Sequence, residues 1–261
     1  MLAGFFVEMN AGLITMDRKV ANESAEIGKL MGARIAYFKD LNAGERLRTS
    51  LVQLLSGGDA IAETPKYRDP MTIIPYHTCI LETNHMPVLG VVIPAIVERL
   101  LCVHFPVNFV ELGPDEAPTP FRRQIDNSLK ARMSANYAGA LTWLVQGAVA
   151  WYAEGHLRKN TPAKVTEFSR EYFKDQDRLA QFMDECCELG PDKHVPTMQF
   201  LNAFNDWASE SDGGGRMTDK TMSAAMSLKG FAKTQMRVGG MRAMHYQGIG
   251  VGLSAFMSHD V

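Results

Sequence analysis

The sequence predicts an α/β layer, then a helical segment, then a small domain of helices and a hairpin. Three observations carry this expectation. Over roughly residues 1–110, short apolar runs alternate with stretches of helical period. An acidic, proline-containing stretch from Glu111 to Pro120 then gives way to apolar residues spaced along one helix face. Beyond residue 178, three short stretches of helical period precede two strand-like runs separated by Gly239-Gly240. The expected boundaries are residues 1–120, 121–177 and 178–261.

Residues 1–20 carry no periodic signal and read as a loose segment. Asn22 to Met31 is expected as a short helix stopping before Gly32. Ile35-Ala36-Tyr37-Phe38 is a short apolar run ending at charge, the pattern of a buried strand. Leu47, Leu51, Leu54 and Leu55 repeat at helical spacing and stop at Ser56-Gly57-Gly58. Thr72-Ile73-Ile74, Thr78-Cys79-Ile80-Leu81 and Leu100-Leu101-Cys102-Val103 are strand-like. Ile125, Leu129, Met133, Tyr137, Leu141, Leu144, Ala148 and Trp151 trace one face of a single long helix closed by Gly155, and a further helical stretch follows Pro162. Leu179, Phe182, Met183 and Cys186 mark the next helix, Phe200, Phe204 and Trp207 another, and Met222, Ala225 and Met226 a third, with Thr218 as its N-cap. The strand-like runs lie around Phe231–Met236 and Ala243–Tyr246. Three helices and a hairpin in this order predict a winged-helix domain.

Composition narrows the function. Across 261 residues the net charge is −2, so contact with nucleic acid would have to come from local patches. Cys79, Cys102, Cys186 and Cys187 form no spaced pairs, which argues against zinc and against a disulfide framework. Free thiols fit a reducing, cytoplasmic setting. The most apolar run, Met86 to Val110, is broken by Pro87, Pro94, Glu98, Arg99 and Pro106 and is not expected to span a membrane. The N-terminus has no basic stretch ahead of its apolar residues and is not expected to be a signal peptide.

Three residues are candidates for chemistry. Asp40 follows a short strand, and in open α/β sheets ligands bind at the carboxyl ends of strands. A carboxylate there either holds Mg²⁺ beside a nucleotide or is a solvated turn residue. Asn84, in Leu81-Glu82-Thr83-Asn84-His85-Met86-Pro87, either orients a water attacking a γ-phosphate or shapes the turn before Pro87. Arg99 sits in an apolar run and needs a partner: Glu98, another carboxylate, or a neighbouring subunit's phosphates. His85 is expected to shape its turn. Cys186-Cys187 is expected to be half core and half surface, and Gly248-Ile249-Gly250-Val251-Gly252 a terminal strand. Arg216, Lys220, Lys229, Lys233, Arg237 and Arg242 share a stretch whose one acid is Asp219. This is either a phosphate-contacting face or a solvated one.

In order and spacing, these motifs resemble a superfamily III helicase of the poxvirus and phage/plasmid primase–helicase type. Gly32-Ala33-Arg34-Ile35-Ala36-Tyr37-Phe38-Lys39-Asp40 resembles a Walker B strand and its acid. Leu54-Leu55-Ser56-Gly57-Gly58-Asp59-Ala60-Ile61, with Lys66-Tyr67-Arg68-Asp69-Pro70, resembles the pore-hairpin motif that follows. Thr83-Asn84-His85-Met86-Pro87 is similar to the sensor motif, and Val97-Glu98-Arg99-Leu100 with Phe105 to the arginine-finger strand. The likeness continues through Leu141-Thr142-Trp143, Gly147 and Arg178-Leu179-Ala180-Gln181-Phe182.

The resemblance implies an AAA+-like P-loop NTPase core, truncated at its N-terminus, ahead of the helical linker and winged helix. It implies ATP and Mg²⁺ as cofactors, with Asp40 on the metal, Asn84 on the γ-phosphate and Arg99 acting in trans. It also implies a homo-oligomeric, hexameric ring around single-stranded DNA and a role in viral, phage or plasmid DNA replication. Lys66, Tyr67 and Arg68 would face the pore. Lys233, Arg237 and Arg242 of the winged helix would touch DNA phosphates. The sequence departs from the pattern in three ways. No G-x-x-x-x-G-K-[ST] loop is present; the one Gly-Lys, Gly28-Lys29, is followed by Leu30. Basic residues that relatives often carry near Gln53 and Thr64 are absent, and Asp40 stands where relatives often carry glutamate. In the family the loop lies upstream of where this chain starts. The alternative expectation is a non-catalytic DNA-binding or ring-assembly module that has lost ATP hydrolysis.

Overall fold

In a computed structural model the chain is described over residues 4–64, 69–155, 160–210 and 216–252. Residues 100–172 form one compact unit, and the segments before and after it together form the other. The two compact units divide the chain at Arg99/Leu100 and Tyr172/Phe173.

The larger unit begins with β1 (Phe6–Glu8), inside the stretch expected to be loose. At three residues it is too short to show a period. α1 (Glu23–Gly28) is capped by the Asn22 side chain, which accepts from the Ala25 N–H at 3.1 Å. It ends three residues earlier than expected, and its turn closes through Gly32 at φ 77°. β2 (Ile35–Lys39) buries Ala36 and Phe38, and α2 (Thr49–Ser56) buries Leu51 and Leu55. β3 (Ile61–Glu63) and β4 (Met71–Ile73) pair antiparallel. β5 (Thr78–Glu82) lies parallel to β2, completing a three-stranded parallel sheet in the order β1-β2-β5. α3 (Pro94–Val97) starts on a proline, whose fixed φ suits a first helical turn.

The strand expected at Leu100–Val103 does not form. The Cys102 N–H, which a ladder would use, donates instead to Ser169 Oγ at 2.9 Å. In the unit of residues 100–172, β6 (Asn108–Val110) and β7 (Arg122–Gln124) make a short parallel pair. The single long helix is replaced by α4 (Leu129–Ala135) and α5 (Tyr137–Glu154). They part at Asn136, whose side chain accepts from the Gly139 N–H at 3.0 Å and so caps a new helix. Gly155 closes α5 at φ 81°, as expected. The apolar face traced in sequence is exposed: Met133 is 64% and Tyr137 59% accessible. α6 (Ala163–Gln176) follows.

The C-terminal part of the larger unit comprises α7 (Arg178–Cys186), β8 (Cys187–Pro196), α8 (Thr197–Glu210), α9 (Asp219–Leu228), β9 (Lys233–Val238) and β10 (Met241–Val251). Thr218 caps α9 as expected, accepting from the Thr221 N–H. The sheet is antiparallel in the order β8-β10-β9. Gly239 and Gly240 both have positive φ, 58° and 88°. That is the backbone a two-residue hairpin of right-handed twist requires, and glycine takes it without strain. β10 runs through Gly248 to Val251, the expected terminal strand. The core is aromatic. Phe182 meets Phe200 and Phe204 edge to face at 5.4 and 5.6 Å, and Tyr246 meets Phe200 at 5.5 Å. All four are at most 1% exposed, and such burial contributes about 1.5–3 kcal/mol per side chain. This core is tied to residues 89–97: Val91 packs against it, and the Leu89 N–H donates to Gln176 Oε1 at 2.8 Å.

Candidate functional site

The carboxyl end of the β1-β2-β5 sheet gathers the polar groups. β2 and β5 are in register from Ile35↔Thr78 to Lys39↔Glu82. The Asp40 N–H extends the ladder by one bond, to the Glu82 carbonyl at 3.1 Å. Asp40 then turns into the left-handed region at φ 59°, the one non-glycine residue to do so among those described. Its carbonyl accepts from Arg18 Nη2 at 2.9 Å. Its carboxylate is exposed and accepts no hydrogen bond from the described residues.

Asn84 lies two residues beyond Glu82 and is also exposed. Its turn is closed by Thr83 Oγ1, which accepts from the His85 N–H at 3.1 Å and donates to the His85 carbonyl at 2.9 Å. His85 therefore shapes the turn through its backbone. The fold thus places a carboxylate and an amide past the ends of adjacent parallel strands, open to a ligand.

Below this edge, Glu45 is 8% exposed and accepts from Arg18 through both carboxylate oxygens, at 2.5 and 2.8 Å. The Asn42 N–H and side-chain amide add bonds at 3.0 and 3.1 Å. Burial works to raise the Glu45 pKa, but the Arg18 guanidinium and the Asn42 donors outweigh it and leave the carboxyl below its usual range. On the sheet, Tyr37 donates to Glu82 and Lys39 pairs with Glu8 at 2.9 Å. The Glu82 hydrogen bond holds the Tyr37 hydroxyl above its ordinary pKa, and Glu8 does the same for Lys39. Sequence reasoning missed Arg18, Tyr37, Glu45 and Glu82. Arg18 and Glu45 stand 27 residues apart, with no local spacing to connect them.

The other expected residues fare differently. Arg99 ends the turn after α3, is exposed, and donates from Nη1 to the Ala95 carbonyl at 2.9 Å. Neither Glu98 nor another described carboxylate pairs with it. Lys66, Tyr67 and Arg68 lie outside the described residues. In the basic stretch, Lys233 pairs with Asp219 at 2.8 Å and Lys229 with Asp177 at 2.7 Å. Arg237 and Arg242 stand directly opposite each other across the β9–β10 hairpin. Burial pushes the Cys79 thiol up to about 11 and Cys187 to about 12, so neither is poised as a nucleophile.

Among the described residues no group of three or more His, Cys, Asp or Glu side chains is placed to hold a metal ion. The lone carboxylate of Asp40 fits Mg²⁺ in one setting, where phosphate oxygens and waters supply the remaining ligands. No helix among the described residues is long and apolar enough to cross a membrane.

No protein-family model matches the chain. Over 225 residues it is 26% identical to a protein of Frog virus 3 (isolate Goorha) named "Putative helicase 022R". The similarity covers 82% of this chain and 23% of the viral protein, so the chain spans about a quarter of its relative's length. This is a distant, helicase-like relationship.

Proposed function

We propose that the chain is part of an NTP-dependent DNA helicase of superfamily III type, acting in viral, phage or plasmid replication. The observation that carries the reading is the pairing of Asp40 and Asn84 past the ends of adjacent parallel strands, in a chain related to a viral protein named as a helicase. On this reading residues 4–99 belong to a P-loop NTPase core of AAA+ type, and α7 to β10 are a winged helix. Asp40 would hold Mg²⁺ through water, where such an ion would supply positive charge beside the ATP phosphates. Asn84 would hold the attacking water or sense the γ-phosphate. Arg99, exposed and without a carboxylate partner among the described residues, would reach the phosphates of a neighbouring subunit in a hexameric ring. Lys66, Tyr67 and Arg68 would meet single-stranded DNA in the pore. Arg237 and Arg242 would meet phosphates at the wing. The proposed setting is the host cytoplasm or a viral replication site.

The 261 residues contain no phosphate-binding loop, and its amides and lysine supply most of the electrostatic cradle for the β- and γ-phosphates. Steady-state assays should therefore find ATP hydrolysis by this chain alone negligible, with or without single-stranded DNA. In a longer protein that carries G-x-x-x-x-G-K-[ST] ahead of these residues, hydrolysis should appear. There Arg99→Ala should abolish turnover while nucleotide binding persists, and mixing with Asp40→Ala subunits should restore part of it. Turnover by the longer protein that survives both substitutions would overturn the reading. It would favour the alternative, a DNA-binding or ring-assembly module whose chemistry lies elsewhere.

A further inference from the structure

The β1-β2-β5 sheet has one open face. Its strands succeed one another in a single direction across the sheet. Right-handed crossovers taken in one direction put their helices on the same side, and α1 and α2 belong to these crossovers. Burial along β2 alternates accordingly: Ala36 and Phe38 are sealed, and the residues between and after them are not. Contacts define the opposite face. The Phe6 and Tyr37 rings lie 5.3 Å apart, Tyr37 donates to Glu82, and Lys39 pairs with Glu8 at 2.9 Å. Ile35 and Tyr37 stand beside Thr78 and Ile80 in the ladder. Phe6 is 45% exposed and Ile80 44%. Parallel sheets ordinarily have both faces covered, and a contiguous apolar patch on a surface marks a contact.

Charge and area identify what covers it. Glu8, Lys39 and Glu82 all lie at the carboxyl end of the face, two carboxylates against one ammonium. The strand starts, Phe6, Ile35 and Thr78, carry no acid. Exposed Arg34 stands at that amino end, 5.6 Å from the Tyr76 ring and without an ion pair among the described residues. The face is therefore acidic at one end, apolar in the middle and basic at the other end. A second copy turned about a two-fold axis across the strands meets it with the ends reversed. Apolar centre then falls on apolar centre, and each acidic end lies over a basic one. The ends are separated by about 16 Å at a rise of about 3.3 Å per residue, beyond the reach of screened like-charge repulsion. The face offers on the order of 600 Å² per copy, from eight residues of about 200 Å² each and roughly four-tenths exposed. That is somewhat below the ~800 Å² per partner of a standard interface, enough for a weak, reversible pair.

We infer that the open face is a two-fold contact between copies of this chain, two sheets packed face to face with their strands antiparallel. Phe6, Tyr37 and Ile80 form its apolar centre, and the charged ends form its rim. Such a contact uses the same surface on both copies and closes at two. It is thus separate from the head-to-tail contacts that build a ring, and the inference does not depend on the helicase reading.

The test is sedimentation velocity of the full chain from about 1 μM to about 1 mM, the range over which a weak contact fills. The mass should rise from one copy to two and stop there. Ile80→Glu should stay single throughout, because the contact would bury its charge. Ile80→Thr keeps a β-branched strand residue and removes apolar surface, so it should weaken the pair about tenfold with the fold intact. Arg34→Glu should weaken it severalfold at low salt, by setting acid against acid. A wild type that stays single at every concentration overturns the contact. So does association that persists unchanged in Ile80→Glu and Ile80→Thr. Assembly past two copies that Ile80→Glu abolishes would make the contact head-to-tail and overturn the two-fold.

Discussion

Asp40 combines two properties that a purely structural residue at the end of a strand has no need of. It holds a left-handed backbone, which disfavours a Cβ, and its exposed carboxylate accepts no hydrogen bond from the described residues. Glycine would make the same turn without strain. Asp40→Gly should therefore leave stability unchanged or raise it by up to about 1 kcal/mol, whereas Asp40→Ala should lower it by about 1 kcal/mol relative to the glycine variant. Urea unfolding of the three proteins measures this, and an alanine variant as stable as the glycine one would mean the turn is not left-handed in solution. Glu45 makes the opposite case, a carboxylate committed to structure. Its folded pKa lies below the unfolded value because Arg18 and Asn42 overcome the effect of burial. The unfolded chain thus takes up the proton more readily. The stability Glu45 contributes is complete above the unfolded pKa and is lost as pH falls through the folded one. Glu45→Gln should cost about 1–2 kcal/mol at neutral pH, a charged hydrogen-bonded pair partly open to solvent. The gap to wild type should close as pH falls through the folded pKa and the carboxylate takes up its proton. A gap constant with pH would show that shape, not charge, holds Asn42 and Arg18.

At the level of elements, the β9–β10 hairpin sets Arg237 and Arg242 side by side, with Arg237 Nε donating to the Gly240 carbonyl at 3.2 Å. Like charges directly across a strand pair destabilise it. Arg242→Glu should therefore stabilise the protein by about 0.5–1 kcal/mol. If this hairpin meets DNA phosphates, the same change should weaken binding and flatten its salt dependence. Anisotropy of labelled duplex across a salt series, beside a melting curve, reads both, and a stabilised variant with undiminished binding would remove the hairpin from the interface. This element was legible because its signal is chemical: two glycines between apolar runs predict the turn whatever surrounds them. β2, β5 and α7 to α9 were legible through period and caps. The failures have separate causes. β1 and β3 are three residues each, below the length at which a period can register. Leu100–Val103 has strand composition, but its Cys102 N–H went to a distant serine. The break at Asn136 is a capping event inside an unbroken apolar pattern, and periodicity does not register a cap placed mid-pattern.

Across the molecule, the legible part of the candidate site is the part that follows strands: Asp40 and Asn84 could be placed because strand ends in parallel sheets are where ligands bind. The Arg18–Glu45 support beneath them depends on tertiary pairing and left no trace in spacing. The two compact units also differ in how they are held. In residues 100–172, Ser169 and Tyr172 are the buried residues among those described. α5 buries none, although Trp143, Val145, Val149 and Tyr152 are 52–84% exposed. A helix of 18 residues without tertiary packing is marginal in water, and Gly139 and Gly147 each weaken it by about 1 kcal/mol. α8 buries seven residues, Phe200 and Phe204 among them. Hydrogen exchange read by mass spectrometry should therefore find the amides of α5 exchanging orders of magnitude faster than those of α8, since local opening is least costly where few apolar contacts are lost. Dilution should leave the difference unchanged. Equal protection in the two helices would mean that α5 is covered in solution. A concentration dependence of that protection would then assign the cover to a second copy of the chain, because only an intermolecular contact is lost on dilution.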